Sequence, residues 1–66
     1  MEINYDKEAD AIYIKLRKGE FNKNKKIDDS TIIDLDKNEN ILGIEILEAS
    51  SRIPKESLSK LHIKIS

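Results

Sequence analysis

Apolar and polar positions alternate with a period of two over much of the chain, the spacing of a strand that buries one face. Ile3 and Tyr5 share one face of an opening strand at residues 2–5. Ile12, Ile14 and Leu16 share a face of a second strand, with Ala11, Tyr13 and Lys15 on the other side. Between them Asp6-Lys7-Glu8-Ala9-Asp10 forms a polar connection, in which the carboxylates of Asp6 and Asp10 can accept turn amides. The strongest pattern runs from Thr31 to Ala49. Thr31, Ile33 and Leu35 make the inward set of one strand, residues 36–40 a turn, and Leu42, Ile44 and Ile46 the inward set of the next. Ile41, Gly43, Glu45 and Leu47 fall on the opposite side, so this last strand is apolar on both faces. Tyr13, Ile41 and Leu47 are then expected to share a second sheet face that needs a cover, which makes them the candidate partner-binding residues.

The tail reads differently. Pro54 pushes Ile53 away from helical geometry and suits the first position of a helix, so residues 54–60 are expected to form a short helix that shows Leu58 and, just beyond it, Leu61 to the sheet. His62–Ile65 can close the sheet as a fifth strand with Ile63 and Ile65 inward, or form a tail that pairs with a second subunit. The expected fold is α+β and mainly β: a four-stranded antiparallel meander of two hairpins, a short C-terminal helix and that optional fifth strand.

Sixty-six residues make a single domain, 1–66, near the lower limit of independent stability. There is no cysteine, which removes disulfides and thiolate zinc as supports and leaves oligomerisation. A homodimer is therefore expected. Twelve basic and thirteen acidic residues nearly cancel, so no whole-molecule field drives the chain onto nucleic acid or a membrane. No apolar run reaches the roughly 18 residues of a membrane span, and Met1-Glu2-Ile3-Asn4 lacks the basic and apolar regions of a signal peptide. A cytoplasmic protein is expected.

Charge is unevenly placed along the chain. Residues 15–26 hold Lys15, Arg17, Lys18, Lys23, Lys25 and Lys26 against Glu20, whereas 28–48 hold seven acids against Lys37. The segment from Arg17 to Lys26 reads as a solvated connection whose charge balances an acidic neighbour in the sheet. As a functional alternative, Arg17, Lys18, Lys23, Lys25 and Lys26 form a basic arm that could bind nucleic acid, although Phe21 is its only base-stacking side chain.

Asp34, Asp36, Asn38, Asn40 and Glu45 stand at places 1, 3, 5, 7 and 12 of a calcium-loop spacing. Glu39 occupies place six, where the bend favours glycine, and the flanks read as strands. The expected structure is a polar β-turn, with weak divalent-cation binding as a second alternative. Asp34, Asp36 and Glu45 lack a nucleophile or cleft that would make them a catalytic pair, and His62 stands alone without an orienting carboxylate. No catalytic residue, cofactor site or metal site is assigned. Tyr5 and Tyr13 are explained by cross-strand packing.

Two blocks resemble the small prokaryotic family known as domain of unknown function 2283. They are Tyr5-Asp6-Lys7-Glu8-Ala9-Asp10-Ala11-Ile12-Tyr13-Ile14, and Ile33-Asp34-Leu35-Asp36 followed by Gly43-Ile44-Glu45-Ile46-Leu47. The resemblance spans about residues 3–50. Where the family turn carries glycine after its acids, this chain has Glu39-Asn40, and Asn40 is expected to supply the left-handed conformation. The resemblance implies a small antiparallel β domain with no transferable catalytic residue, found beside small toxin-like proteins. The expected function is a non-catalytic protein-interaction module, antitoxin-like in the form the resemblance suggests, holding a small protein partner through a sheet face or an edge strand.

Overall fold

The computed structural model describes the backbone of residues 1–60 and 64–65 and the side chains of residues 1–57. The strands are β1 (Glu2–Asp6), β2 (Ala11–Lys15), β3 (Lys23–Asp28), β4 (Thr31–Leu35) and β5 (Ile41–Ile46), followed by helices α1 (Ala49–Arg52) and α2 (Lys55–Lys60) and a two-residue strand β6 (Lys64–Ile65). They form one sheet in the order β3-β4-β5-β2-β1-β6. The first five are antiparallel to their neighbours, and β6 lies parallel beside β1, with Asn4 opposite Lys64 and Tyr5 opposite Ile65. The mainly β fold with short helices is thus as expected, while the sheet is larger than a four-stranded meander. The inward positions assigned to Leu58, Leu61, Ile63 and Ile65, and the reading of His62, lie outside the described side chains.

The extra antiparallel strand is β3, inside the segment read from sequence as a solvated connection. All six residues of β3 are exposed, so it has no apolar face to mark it. It forms because β4 would otherwise leave a row of backbone donors and acceptors open, and the chain returns through Asp29-Ser30 to pair with it. Asp28 fixes that return by accepting the Ser30 amide at 2.9 Å.

Topology also departs from a simple meander. β5 leaves the β3-β4-β5 meander and pairs with β2, so the link from β2 to β3 must cross the ends of β5 and β4. Its route is set by backbone bonds: the Leu16 and Arg17 amides donate to the Leu42 carbonyl at 2.8 and 3.3 Å, and the Asn22 amide to the Leu35 carbonyl at 2.9 Å.

Cross-strand register builds the core as rows. Ile3, Ile14, Ile44 and Ile33 stand opposite one another in sequence across β1, β2, β5 and β4, and the row ends at Lys25 of β3. The next row holds Tyr5, Ile12, Ile46 and Thr31. Directly opposed β-branched pairs each contribute about 0.2–1 kcal/mol, which rewards this register over any slipped one.

The second row meets the C-terminal segment. Glu48 takes a left-handed conformation, φ 51°, and turns the chain from β5 into α1. Ala49 is fully buried there, and its amide donates to the Asp10 carbonyl at 2.9 Å. Asp10 also holds a positive φ of 50°. Its carboxylate accepts the Ser50 hydroxyl at 2.7 Å, the Ser50 amide at 3.1 Å and the Tyr5 hydroxyl at 2.8 Å. Asp6 caps its own turn as expected, through the Glu8 and Ala9 amides. Asp10 instead ties the first hairpin to a helix forty residues away. On the far side, Arg52 donates to Thr31 Oγ1 at 2.6 Å and Asp28 Oδ1 at 3.4 Å. Ile53 is extended at φ −121°, as a residue before proline should be, and this separates the two helices.

The hydroxyl of Ser50, then that of Tyr5, hold the Asp10 carboxyl below its ordinary value of 3.8; amide bonds from Ser30 and Asn40 lead in doing the same for Asp28 and Asp36. A depressed carboxyl stabilises the fold above its unfolded value and loses that contribution as pH falls through its folded one. The attachment of α1 to the hairpin is therefore expected to weaken below about pH 3.8, the ordinary value. Asp10→Asn, which keeps a side chain tolerant of positive φ, should lower protection of the Ser50 amide in hydrogen exchange already at neutral pH and flatten its acid dependence. Unchanged protection in the variant would show that the carboxylate does not hold α1.

Candidate functional site

One extra residue in β5 decides which side chains each sheet face presents. Asp34 opposes Gly43, but the next β4 residue, Leu35, opposes Ile41, so Leu42 is left over as a β-bulge. Side-chain parity reverses across it. Ile41 moves to the isoleucine face, where it lines a depression of about 550 Å³ with Ile27, Ile33 and Leu35. Leu42 turns to the opposite face and lies against Gly19, where an added Cβ would collide with Leu42 Cδ2. The link from β2 to β3 thus covers Leu42 and buries it. The expectation that Tyr13, Ile41 and Leu47 share a face is corrected accordingly. Tyr13 and Leu47 line a second depression with Ala11, Asp34 and Glu45, and Ile41 is on the other side of the sheet.

Tyr13 occupies the middle of that second face, between Asn4 on β1 and Glu45 on β5. Gly43 makes room for it: a Cβ built there would overlap the Tyr13 hydroxyl and ring carbon and press on the Ile14 carbonyl. The glycine of the Gly43-Ile44-Glu45 block is therefore explained by close approach, since no glycine in the chain has positive φ. Burial, and next the neighbouring Asp34 carboxylate, raise the Tyr13 phenol above its ordinary value of 10.0. The phenol is accordingly neutral at physiological pH and can donate a hydrogen bond beside two carboxylates. A tyrosine, Asp34 and Glu45 make a polar centre on a half-buried face, with no nucleophile poised against them.

The isoleucine face is more apolar and more open. Among the described side chains only Ile12, Leu35, Leu42 and Ala49 are buried apolar residues. Ile3, Ile14, Ile33 and Ile44 are half-buried, and the row is extended by Ile41 and Ile27, which are 44% and 54% exposed. Lys23, Lys25 and Glu39 rim this end, with Lys23 and Glu39 joined at 3.0 Å. This end of the sheet is thus an apolar patch with a charged rim. Ile27 escaped the sequence reading because it is the lone aliphatic of KNKKID; its spacing of two from Lys25 and Lys23 was the available signal.

The basic arm is not one surface. Lys23, Lys25 and Lys26 belong to β3, whereas Arg17 and Lys18 lie in the link and border a third depression with Phe21, Tyr13 and Asp34. Several of these charges have acidic neighbours: Lys23 meets Glu39, and Lys26 lies 3.9 Å from Asp29. Phe21 is 59% exposed.

The acidic turn is built from its own hydrogen bonds. One Asp36 carboxylate oxygen accepts the Asn38 and Asn40 amides at 2.8 and 2.9 Å, and the other accepts the Asn40 side-chain amide at 3.0 Å. Glu39, not Asn40, takes the left-handed conformation, with φ 65°. Asp34 and Glu45 face Tyr13 from the strands, so the five oxygen-bearing residues at calcium-loop spacing do not converge. Among the described residues no group of three or more histidines or acids could hold a metal ion, and no helix is long and apolar enough to cross a membrane.

Gly43→Ala should destabilise the fold by roughly 1–3 kcal/mol, the usual cost of overpacking a filled site, read as a lowered urea midpoint. Tyr13→Ala in the same background should recover only part of the loss, because the Ile14 carbonyl still crowds the new methyl. A midpoint unchanged in Gly43→Ala would refute the close approach.

No curated protein and no solved structure matches the chain. A family profile does, over residues 2–50, and those residues contain all five antiparallel strands, the bulge and the Tyr13 face. Since the match takes in most of the chain and every element that shapes the two sheet faces, the protein belongs to the family of proteins of unknown function designated DUF2283.

Proposed function

We propose that the chain is a non-catalytic protein-interaction module that works as a homodimer, pairing through the isoleucine face of its sheet. The observation that supports this is the row Ile3, Ile14, Ile44 and Ile33, half-buried along its length and continued by the exposed Ile41 and Ile27. Large aliphatics left in contact with water along a rigid sheet gain about 25 cal/mol for each Å² covered by a partner. A chain of 66 residues also has little other apolar surface with which to complete a core. The same surface would serve an antitoxin-like role, in which a small protein replaces the second copy. Tyr13 and Leu47 on the opposite face remain available for a further contact.

Sedimentation at micromolar concentration should show a dimer. Ile41→Asp should shift it to monomer while the circular dichroism stays that of a β protein, because Ile41 is 44% exposed and contributes little to the fold. A wild-type chain that sediments as a monomer would overturn the homodimer.

A further inference from the structure

Six residues, Lys23–Asp28, form the outermost strand at one end of the sheet, and every one is exposed. One side of β3 pairs with β4, so its other side presents backbone donors and acceptors that meet no strand among the described residues. The charge on this edge is one-sided. Lys23 and Lys25 project to the isoleucine face and Asn24 and Lys26 to the Tyr13 face, with no acid within the strand before Asp28; Lys23 is paired with Glu39 of the neighbouring turn and Lys26 lies 3.9 Å from Asp29.

We propose that β3 takes up an acidic, extended segment of another protein as an additional strand. Its backbone completes the ladder on the open side of β3, and its carboxylates lie against Lys25 and Lys26. The inference rests on the reading of the chain as an interaction module and names a partner for it. Three features select this occupant. A second copy of β3 would set lysines against lysines, which directly opposed strands disfavour. A nucleic-acid backbone could use the lysines but would leave the strand's amides and carbonyls without the ladder a peptide supplies. The lysines also stand on both faces of the edge, so an acidic strand is matched whichever way its alternate side chains point.

The probe is a fluorescently labelled peptide of alternating glutamate and valine, read by anisotropy against the full chain, with a lysine-for-glutamate peptide and a single-stranded oligonucleotide as comparisons. Saturable binding of the acidic peptide is expected, with new hydrogen-exchange protection confined to β3 amides. Lys25→Glu with Lys26→Glu, both at exposed positions, should weaken it by about tenfold or more, since each reversed cross-strand pair changes from attraction to repulsion. Circular dichroism of the double variant, unchanged from wild type, ties that loss to the edge. Absence of saturable peptide binding, protection mapped away from β3, or tighter capture of the oligonucleotide through the same lysines would overturn strand addition. Sedimentation of the same samples separates this from the parent reading: a dimer that ignores the peptide removes only the strand addition, and a monomer that ignores it removes both.

Discussion

The extra residue at Leu42 is the constraint on which the arrangement of this sheet depends. Strand side chains alternate strictly, so an unbroken β5 would send Leu42 into the isoleucine rows and Ile41 out beside Tyr13. The bulge reverses that assignment within one residue. Leu42 then lies under the link between β2 and β3, and its carbonyl accepts both amides that start that link. The bulge therefore anchors the only long crossing in the fold's first five strands. It also moves an isoleucine to the end of the sheet where Ile27 is already exposed, which concentrates apolar surface beside the basic edge.

A second joint closes the other end. Asp10 is held in a left-handed conformation at the tip of the first hairpin, where its carboxylate faces Ser50 and Tyr5 rather than its own turn. Arg52 meets Thr31 and Asp28 across α1. The four residues of α1 are too few to hold a helix by themselves, so its geometry is set by these attachments at both ends. The polar contacts and the buried Ala49 thus do the positioning that helix propensity cannot.

What could be read from the sequence follows how local each signal was. β1, β2, β4 and β5 announce themselves through two-residue periods of isoleucine and tyrosine, and the break before Pro54 is a steric effect of the adjacent residue. β3 carries no such period, because both its faces meet water, and it exists only through the open edge of β4. The bulge is equally silent: Ile41 and Leu42 are interchangeable as aliphatics, and only the cross-strand partners Asp34 and Leu35 reveal which is the surplus residue. The acidic turn was legible as a turn, yet the residue that bends backwards is Glu39, since the three bonds that Asp36 makes to Asn38 and Asn40 fix Asn40 in place. Gly43 and Tyr13 appear as neighbours only once β2 and β5 are side by side.

The two ends of the sheet are unequal, and this bears on how far assembly can proceed. At one end β1 is partly covered by β6, a strand of two residues, which is too short to template further pairing. At the other end β3 offers six residues. Among the described residues, the longer backbone edge of the sheet is therefore the one at β3. That edge carries lysines on both faces and no apolar period, the kind of composition that discourages one copy's edge from pairing with another's.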